Sequence, residues 1–265
     1  MPGSRRKPDV AERPRGLIGS PSPRPSVLYR LLRRLFRRLI WSLFRVEVSG
    51  LQHLPRADGR PAGGWIAVGL PHRTWVEFFI FVPLLPAEPR LIMLGDGPTM
   101  FGSAWRRALM RRVGGVVPVW RGSAGREFEA HGAAAKAAIR AGAVFGLFPE
   151  VGRVARPPAL RRVSPSVAYF ALRTGAPIVP FVFGGTHQLW LRRRIVVRVL
   201  PPLEPPAEPP PSAGSPAERA AADELLARLL AAVEPVAAEV HAAAEPPPGT
   251  RKPWRWLTGP YLQAD

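Results

Sequence analysis

The chain has no cysteine among its 265 residues. Disulfides, thiolate metal sites and a covalent cysteine mechanism are therefore excluded, and a reducing compartment is compatible with the composition. Lysine is nearly absent as well: Lys7, Lys136 and Lys252 are the three, so 35 of the 38 basic residues are arginine. Acidic residues number 19, half the basic count, and the resulting net charge of +19 points to phosphate on a partner, whether nucleic acid, lipid headgroup or phosphorylated substrate. No uninterrupted apolar run follows the Arg5–Arg6 pair, which argues against export.

Proline (34) and glycine (25) are plentiful, gathered near both ends and without a repeat, so the chain reads as a single folded unit with loose flanks. Residues 1–25 are rich in Pro, Arg and Ser, lack apolar periodicity, and are expected to be a disordered basic tail. The charge is uneven. Residues 1–45 carry twelve basic and two acidic side chains, or +10, whereas residues 201–249 carry two basic and eight acidic, or −6.

Residues 26–46, "SVLYRLLRRLFRRLIWSLFRV", place Arg30, Arg33, Arg34, Arg37 and Arg38 at steps of three and four, with leucines, Phe36 and Ile40 on the remaining side. Five arginines exclude a membrane span. The pattern suits a helix in the headgroup plane, apolar side in acyl chains and arginines on anionic phosphates; the plainer alternative is a helix packed on the domain with a solvated Arg face.

Residues 47–200 alternate short apolar runs with helical stretches, which predicts an α/β fold: a single mixed β-sheet flanked by helices, with the amphipathic helix before it and another helix after it. The expected strands are "RVEVSG", "GWIAVGL", "RLIML", "GGVVPVW", "AVFGLF", "PIVPFVF" and "RIVVRVL". Helices are expected over 76–85, 105–112, 125–141 and 164–173. A Pro-rich linker, 201–216, should hold neither ladder nor helix. From 217 to about 244 an Ala- and Leu-rich helix follows, with Pro235 as a point of bending, and 217–265 ends in a tail whose Trp254, Trp256 and Tyr261 suit a membrane interface or a packed terminus equally.

Within this frame "PHRTWVEFF" ends a buried-looking strand on His72 and sets Glu77 among aromatic residues. Histidine titrates closest to neutrality and can take a proton from an alcohol and return it, while a carboxylate on its other nitrogen fixes the tautomer. The spacing works if His72 lies in the turn and Glu77 in the first helical turn. A structural alternative is a capping box, Thr74 capping the helix and Glu77 reaching back to it. The remaining histidines, His53, His131, His187 and His241, show no paired carboxylate at a telling interval and no metal-ligand pattern. "GREFEAHGAAAKAAIRAG" reads as an Ala-rich helix with Arg126, His131 and Arg140 facing solvent, and "FVFGGTHQLW" as a core strand and turn, with an acyl groove as the alternative.

"HRTWVE" resembles the H-x-S-W-x-D block of the glycerolipid acyltransferases, the family that includes 1-acylglycerol-3-phosphate acyltransferase. Thr74 stands for Ser and Glu77 for Asp. "GVVPVWR" (Gly115 to Arg121), "FPEVGRV" (Phe148 to Val154, for F-P-E-G-T-R) and "APIVPFV" (Ala176 to Val182, for V-P-I-V-P-V) resemble the later blocks in order. "VEVSGLQHLP" is similar to the strand and turn leading into the first.

The resemblance implies that His72 and Glu77 are catalytic, the histidine deprotonating an acceptor hydroxyl that attacks an acyl thioester. It implies Thr74, Gly115, Arg121, Glu150 and Arg153 as substrate-binding, the two arginines as phosphate ligands and Glu150 as a carboxylate that positions substrate or orients an arginine. Acyl-CoA or acyl carrier protein would be co-substrate, with no metal and no cofactor, and a lysophospholipid on an anionic membrane surface the acceptor. The enzyme would sit peripherally on the cytoplasmic membrane face. Val151 and Gly152, in place of the family's Gly-Thr, keep a glycolipid or aminolipid acceptor open. Nucleic-acid binding, which the charge alone favours, is not expected, because the arginines alternate with aliphatics rather than stacking aromatics. A silent membrane adaptor is the remaining alternative.

Overall fold

All seven expected strands join one sheet. The computed structural model describes residues 17–120, 126–151, 157–208 and 212–258. In chain order these contain α1 (Val27–Leu43), β1 (Arg45–Ser49), a 3-10 turn (Leu51–His53), β2 (Arg56–Ala57), β3 (Arg60–Pro61), β4 (Trp65–Leu70), α2 (Val76–Leu84) and β5 (Leu91–Asp96). There follow α3 (Gly97–Phe101), α4 (Ala104–Val113), β6 (Val116–Val119), α5 (Arg126–Arg140), β7 (Val144–Leu147), β8 (Glu150–Val151) and β9 (Arg162–Val163). The chain continues through α6 (Ser166–Thr174), β10 (Ile178–Gly184), β11 (Arg194–Val199), α7 (Pro216–Ala244) and a 3-10 turn (Arg255–Thr258).

The main sheet has the order β1-β11-β10-β4-β7-β5-β6, while β2-β3 and β8-β9 form small separate ladders. Neighbours are parallel except β10 and β11, so the sheet is mixed. Every residue of β4, β7 and β10 is buried, as inner parallel strands covered on both faces must be. Side chains alternate between two cores: Ile66, Val68 and Leu70 enter the one beneath α5, α6 and α7, and Trp65 and Ala67 the one beneath α1 and α2. Glu218 joins the helical layer together. Its carboxylate takes two hydrogen bonds from Arg173, at 2.7 and 2.9 Å, and these hold its carboxyl below the usual range.

Three expectations need correction. Residues 17–25 are not a free tail: Ile18 bridges Val116, its N–H donating to the Val116 carbonyl and its carbonyl accepting from Gly115 N, both at 2.8 Å, and Arg90 N donates to the Pro23 carbonyl at 2.7 Å. The exposed edge of β6 offers unpaired backbone groups, and this segment occupies some of them. The linker also pairs, since Leu203 and Ile178 exchange hydrogen bonds of 2.8 and 2.9 Å; prolines flank Leu203 but leave it its own donor. Finally α3 was not expected, although Asp96 caps it by accepting from Thr99 N at 3.0 Å and Pro98 sits in its first turn. Through Pro235, α7 runs as one 29-residue helix.

The apolar surface of α1 divides in two. Tyr29 and Ile40 are buried, Phe36 meets Phe79 of α2 edge-on at 4.8 Å, and Arg33 donates to the Pro83 carbonyl at 2.9 Å and to that of Leu85, satisfying the end of α2. Val27, Leu31, Leu35 and Leu39, four residues apart, remain more than half exposed. Among the described residues no helix is long and apolar enough to cross a membrane. The final segment packs: Leu257 O accepts from Trp75 Nε1 at 3.1 Å and Pro253 O from Leu191 N at 2.9 Å. Trp254 stays half exposed, while Tyr261 and the side chain of Trp256 lie outside the described residues.

Candidate active site

Parallel strands share one direction, so the loops leaving the carboxyl ends of adjacent strands meet at one edge of the sheet. β10, β4 and β7 are neighbours, and their loops carry Thr186 and His187, His72 to Thr74, and Phe148 to Glu150 respectively. His72 lies in the turn and Glu77 in the first turn of α2, as the spacing requires. The His72 ring stacks on Phe148, 4.3 Å between centroids and 20° between planes. Phe148 in turn lies over Gly69, where a Cβ would fall 2.1 Å from the ring, so the absence of a side chain at 69 makes room for the platform under the imidazole.

Nδ1 of His72 points at Glu77 Oε2, 3.6 Å away, and makes no hydrogen bond among the described residues although it is buried. The distance exceeds a hydrogen bond by about half an ångström. The side chain is 37% exposed, so the accessible edge of the ring is the one bearing Nε2. Glu77 is fully buried and accepts from Arg73 N at 2.9 Å, Thr74 N at 2.9 Å and Thr74 Oγ1 at 3.2 Å. Half of the capping box therefore forms. The helix begins at Val76 as expected, but its N-cap is Trp75 and not Thr74, and the Thr74 hydroxyl bonds Glu77 and the Thr186 carbonyl, each at 3.2 Å, instead of the helix amides.

Glu150 engages the other side of the turn. Its carboxylate, with no exposed surface, accepts from His72 N at 3.0 Å, Arg161 N at 3.1 Å and Arg161 Nε at 3.2 Å, and the Arg161 guanidinium also donates to the His72 carbonyl. Both main-chain polar groups of His72 are thus taken. Glu150 orients an arginine, as one reading had it, but the arginine in contact is Arg161. The sequence singles out nothing at Arg161, which lies in a run of arginines; the β8-β9 hairpin brings it back to Glu150.

Other expected site residues fare differently. Thr74 is buried and bonded inward, so it presents nothing to a substrate. Gly115 sits at the sheet edge, donating to Ile18 O and accepting from Met93 N, and a Cβ there would fall 2.6 Å from the Arg90 guanidinium; its positive φ of 72° and tight packing account for the glycine. Arg121 and Arg153, like Gly152, lie outside the described residues. Val151 is exposed.

The histidines read as isolated include a pair that is not. His187 Nε2 and His241 Nδ1 lie 3.6 and 3.8 Å from Glu245 Oε1, on the wall of a cleft that also includes Pro71, Arg73 and Thr186. Burial pushes the His187 imidazole down to about 4, so it is neutral at physiological pH. His131, expected in solvent, is buried with Nε2 3.2 Å from the Pro118 carbonyl, because α5 turns this face onto the sheet. His53 is held by the Val199 carbonyl at 2.9 Å. "FVFGGTHQLW" is the core strand and turn expected, and the turn lines the cleft.

Residues 45–184, just over half of the chain, match the family model described as Acyltransferase. The chain belongs to the acyltransferase family. The fold is similar to that of the crystal structure of the 1-acyl-sn-glycerophosphate (LPA) acyltransferase PlsC from Thermotoga maritima, with a TM-score of 0.51 and 16% identity over 77% of this chain and 78% of that one. No curated protein matches the sequence significantly. In this acyltransferase the family span runs from β1 to the end of β10, taking in His72, Glu77 and Glu150 and leaving α1, α7, His187, His241 and Glu245 outside.

Proposed function

We propose that this acyltransferase moves an acyl chain from a thioester, acyl-CoA or acyl carrier protein, to the free hydroxyl of a lysophospholipid, with 1-acylglycerol-3-phosphate as acceptor and phosphatidic acid as product. The observation that carries the reading is the His72 imidazole, one nitrogen turned to a buried carboxylate while the rest of the ring stays partly exposed. Nε2 takes the proton of the acceptor hydroxyl as its oxygen attacks the thioester carbonyl. The tetrahedral intermediate then collapses, the carbon–sulfur bond breaks, and the departing thiolate takes the proton back from the imidazolium. Glu77 steadies that imidazolium, and Glu150 with Arg161 holds the loop beneath it. No residue is acylated, so the kinetics should be sequential. Arg121 and Arg153 are assigned to the acceptor phosphate, whose oxygens match the guanidinium fork.

An acceptor of this class lives in a membrane surface, and α1 supplies a way to reach it. Its exposed Val27, Leu31, Leu35 and Leu39 run beside Arg34 and Arg38, apolar contact next to cations, which is the arrangement for an anionic interface. Replacing Leu31, Leu35 and Leu39 by serine should remove about 1 kcal/mol of lipid contact each, so partitioning onto phosphatidylglycerol vesicles should fall roughly 100-fold. Unchanged sedimentation would remove α1 as the anchor.

The exposed Val151 supports a second reading, in which a bulkier apolar side chain than the family's glycine selects a glycolipid or aminolipid acceptor. A panel of lysolipids offered with labelled acyl-CoA and labelled acyl carrier protein separates the two. The expected result is product from 1-acylglycerol-3-phosphate at the highest kcat/KM. Turnover confined to sugar- or amine-bearing acceptors would move the assignment to the second reading, and no turnover with any pairing would overturn both.

A further inference from the structure

We propose that His187, His241 and Glu245 form a binding site for one divalent transition-metal ion of the zinc class, joining the end of α7 to the turn after β10. The three donors come from two segments far apart in the chain: His187 follows β10, His241 lies in the last turn of α7, and Glu245 is its C-cap. One atom from each, His187 Nε2, His241 Nδ1 and Glu245 Oε1, falls within 4.8 Å of the others, with the two contacts to the carboxylate at 3.6 and 3.8 Å. An ion bound tetrahedrally at 2.0–2.1 Å holds its ligands roughly 3.3 Å apart, so side-chain rotations that close the widest gap by about 1.5 Å complete the set. Glu245 can make that adjustment, being 44% exposed at a helix end.

The surroundings fit a ligand set rather than a chance encounter. Glu245 Oε1 also accepts from Arg193 Nη2 at 3.2 Å, and Arg193 is itself fixed, fully buried, donating to the Gly185 carbonyl at 3.0 Å and lying over the Trp190 ring at 4.3 Å. Hydrogen-bonded carboxylates of this kind are the usual outer support of a metal site. The donor set decides which ion is accepted. Close to a fixed positive charge, and in a chain of net charge +19, an ion gains little from bulk attraction and must be held by the imidazole nitrogens. Two nitrogens and one oxygen favour Zn²⁺ over Mg²⁺ or Ca²⁺, which take oxygen ligands.

Both imidazoles line the cleft shared with Pro71 and Arg73, the chain neighbours of His72. The site also borders Thr186, whose carbonyl holds the Thr74 hydroxyl against Glu77. A metal here braces α7 against the turn that supports the carboxylate. All three ligands lie outside residues 45–184, the span that matches the family.

The test uses the full-length protein without a histidine tag, stripped with EDTA and exchanged into chelator-free buffer. Zn²⁺ added in a calorimeter should bind at one equivalent and raise Tm, and Co²⁺ should give visible bands of a four-coordinate nitrogen-ligated ion, with a large excess of Mg²⁺ having no effect. His241→Ala and, separately, Glu245→Gln should each weaken Zn²⁺ binding roughly 100-fold and remove the Co²⁺ bands. His53→Ala, distant from the cluster, should change neither. Both ligand substitutions are at the surface end of α7, and circular dichroism before metal addition establishes that the fold is kept. No stoichiometric binding by the parent protein, or binding that survives both substitutions, would overturn the proposal.

Discussion

Replacing His72 by alanine is expected to lower kcat about 10²–10⁴-fold while leaving lipid binding and Tm close to the parent values. The size follows from the role. If Nε2 removes the acceptor proton, its loss leaves water or nothing to do so, and the barrier rises by the full benefit of a positioned base, about 3–5 kcal/mol. The fold should tolerate the change, since Nδ1 makes no hydrogen bond among the described residues and the stability of the turn rests on the main chain of residue 72, which alanine keeps. Phe148 would lose a stacking partner worth on the order of 1 kcal/mol. Steady-state kinetics with the best acceptor, alongside vesicle sedimentation and thermal melting, provide the comparison. Activity within tenfold of the parent would remove His72 as the base.

Glu77→Gln should have the next largest effect, a fall in kcat of about 10²–10³-fold accompanied by about 1–3 kcal/mol of lost stability. The two consequences share a cause. A carboxylate accepts on both oxygens, and here it serves Arg73 N, Thr74 N and Thr74 Oγ1 while standing 3.6 Å from His72 Nδ1. A carboxamide turns one of those oxygens into a donor, so it must either face an amide N–H with its own NH₂ or present that NH₂ to the imidazole. In the first case the buried turn is weakened; in the second the imidazolium loses its counter-charge. Glu77→Asp tells the two apart, because it restores the family's acid at this position with one methylene less. It is expected to keep far more of kcat than the glutamine variant, with KM little changed in either. A glutamine variant that melts early but turns over normally would make Glu77 a brace for the turn alone.

Most of the sheet was legible because β4, β7 and β10 are covered on both faces and therefore read as unbroken apolar runs between Gly and Pro. Their order was not, since adjacency depends on pairings between distant segments to which periodicity is blind. The edges were misread for a related reason. Ile18, beside Leu17, and the lone Leu203 stand in Pro-rich stretches, and a single bridge leaves no pattern. At the site, His72 and Glu77 stood out because chemistry and local spacing agree. Arg161 did not, being 89 residues from the carbonyl it holds and indistinguishable from the exposed Arg162 beside it. Thr74 and Gly115 were read as substrate contacts on the strength of their blocks, whereas inward hydrogen bonding and close packing account for both. His241 and Glu245 do carry an i, i+4 interval, but the third member arrives from the turn after β10, and without it the pair is an ordinary helix contact.

Glu150 and Arg161 hold both the amide and the carbonyl of residue 72, so the peptide there is anchored from two sides. Above that anchored peptide the imidazole rests on a phenyl ring. The ordering that aligns the base is completed once, when the chain folds, and need not be repeated with every catalytic cycle. Differences in speed among variants of this protein should therefore trace to the hairpin closing behind the loop as readily as to the groups that meet the acceptor.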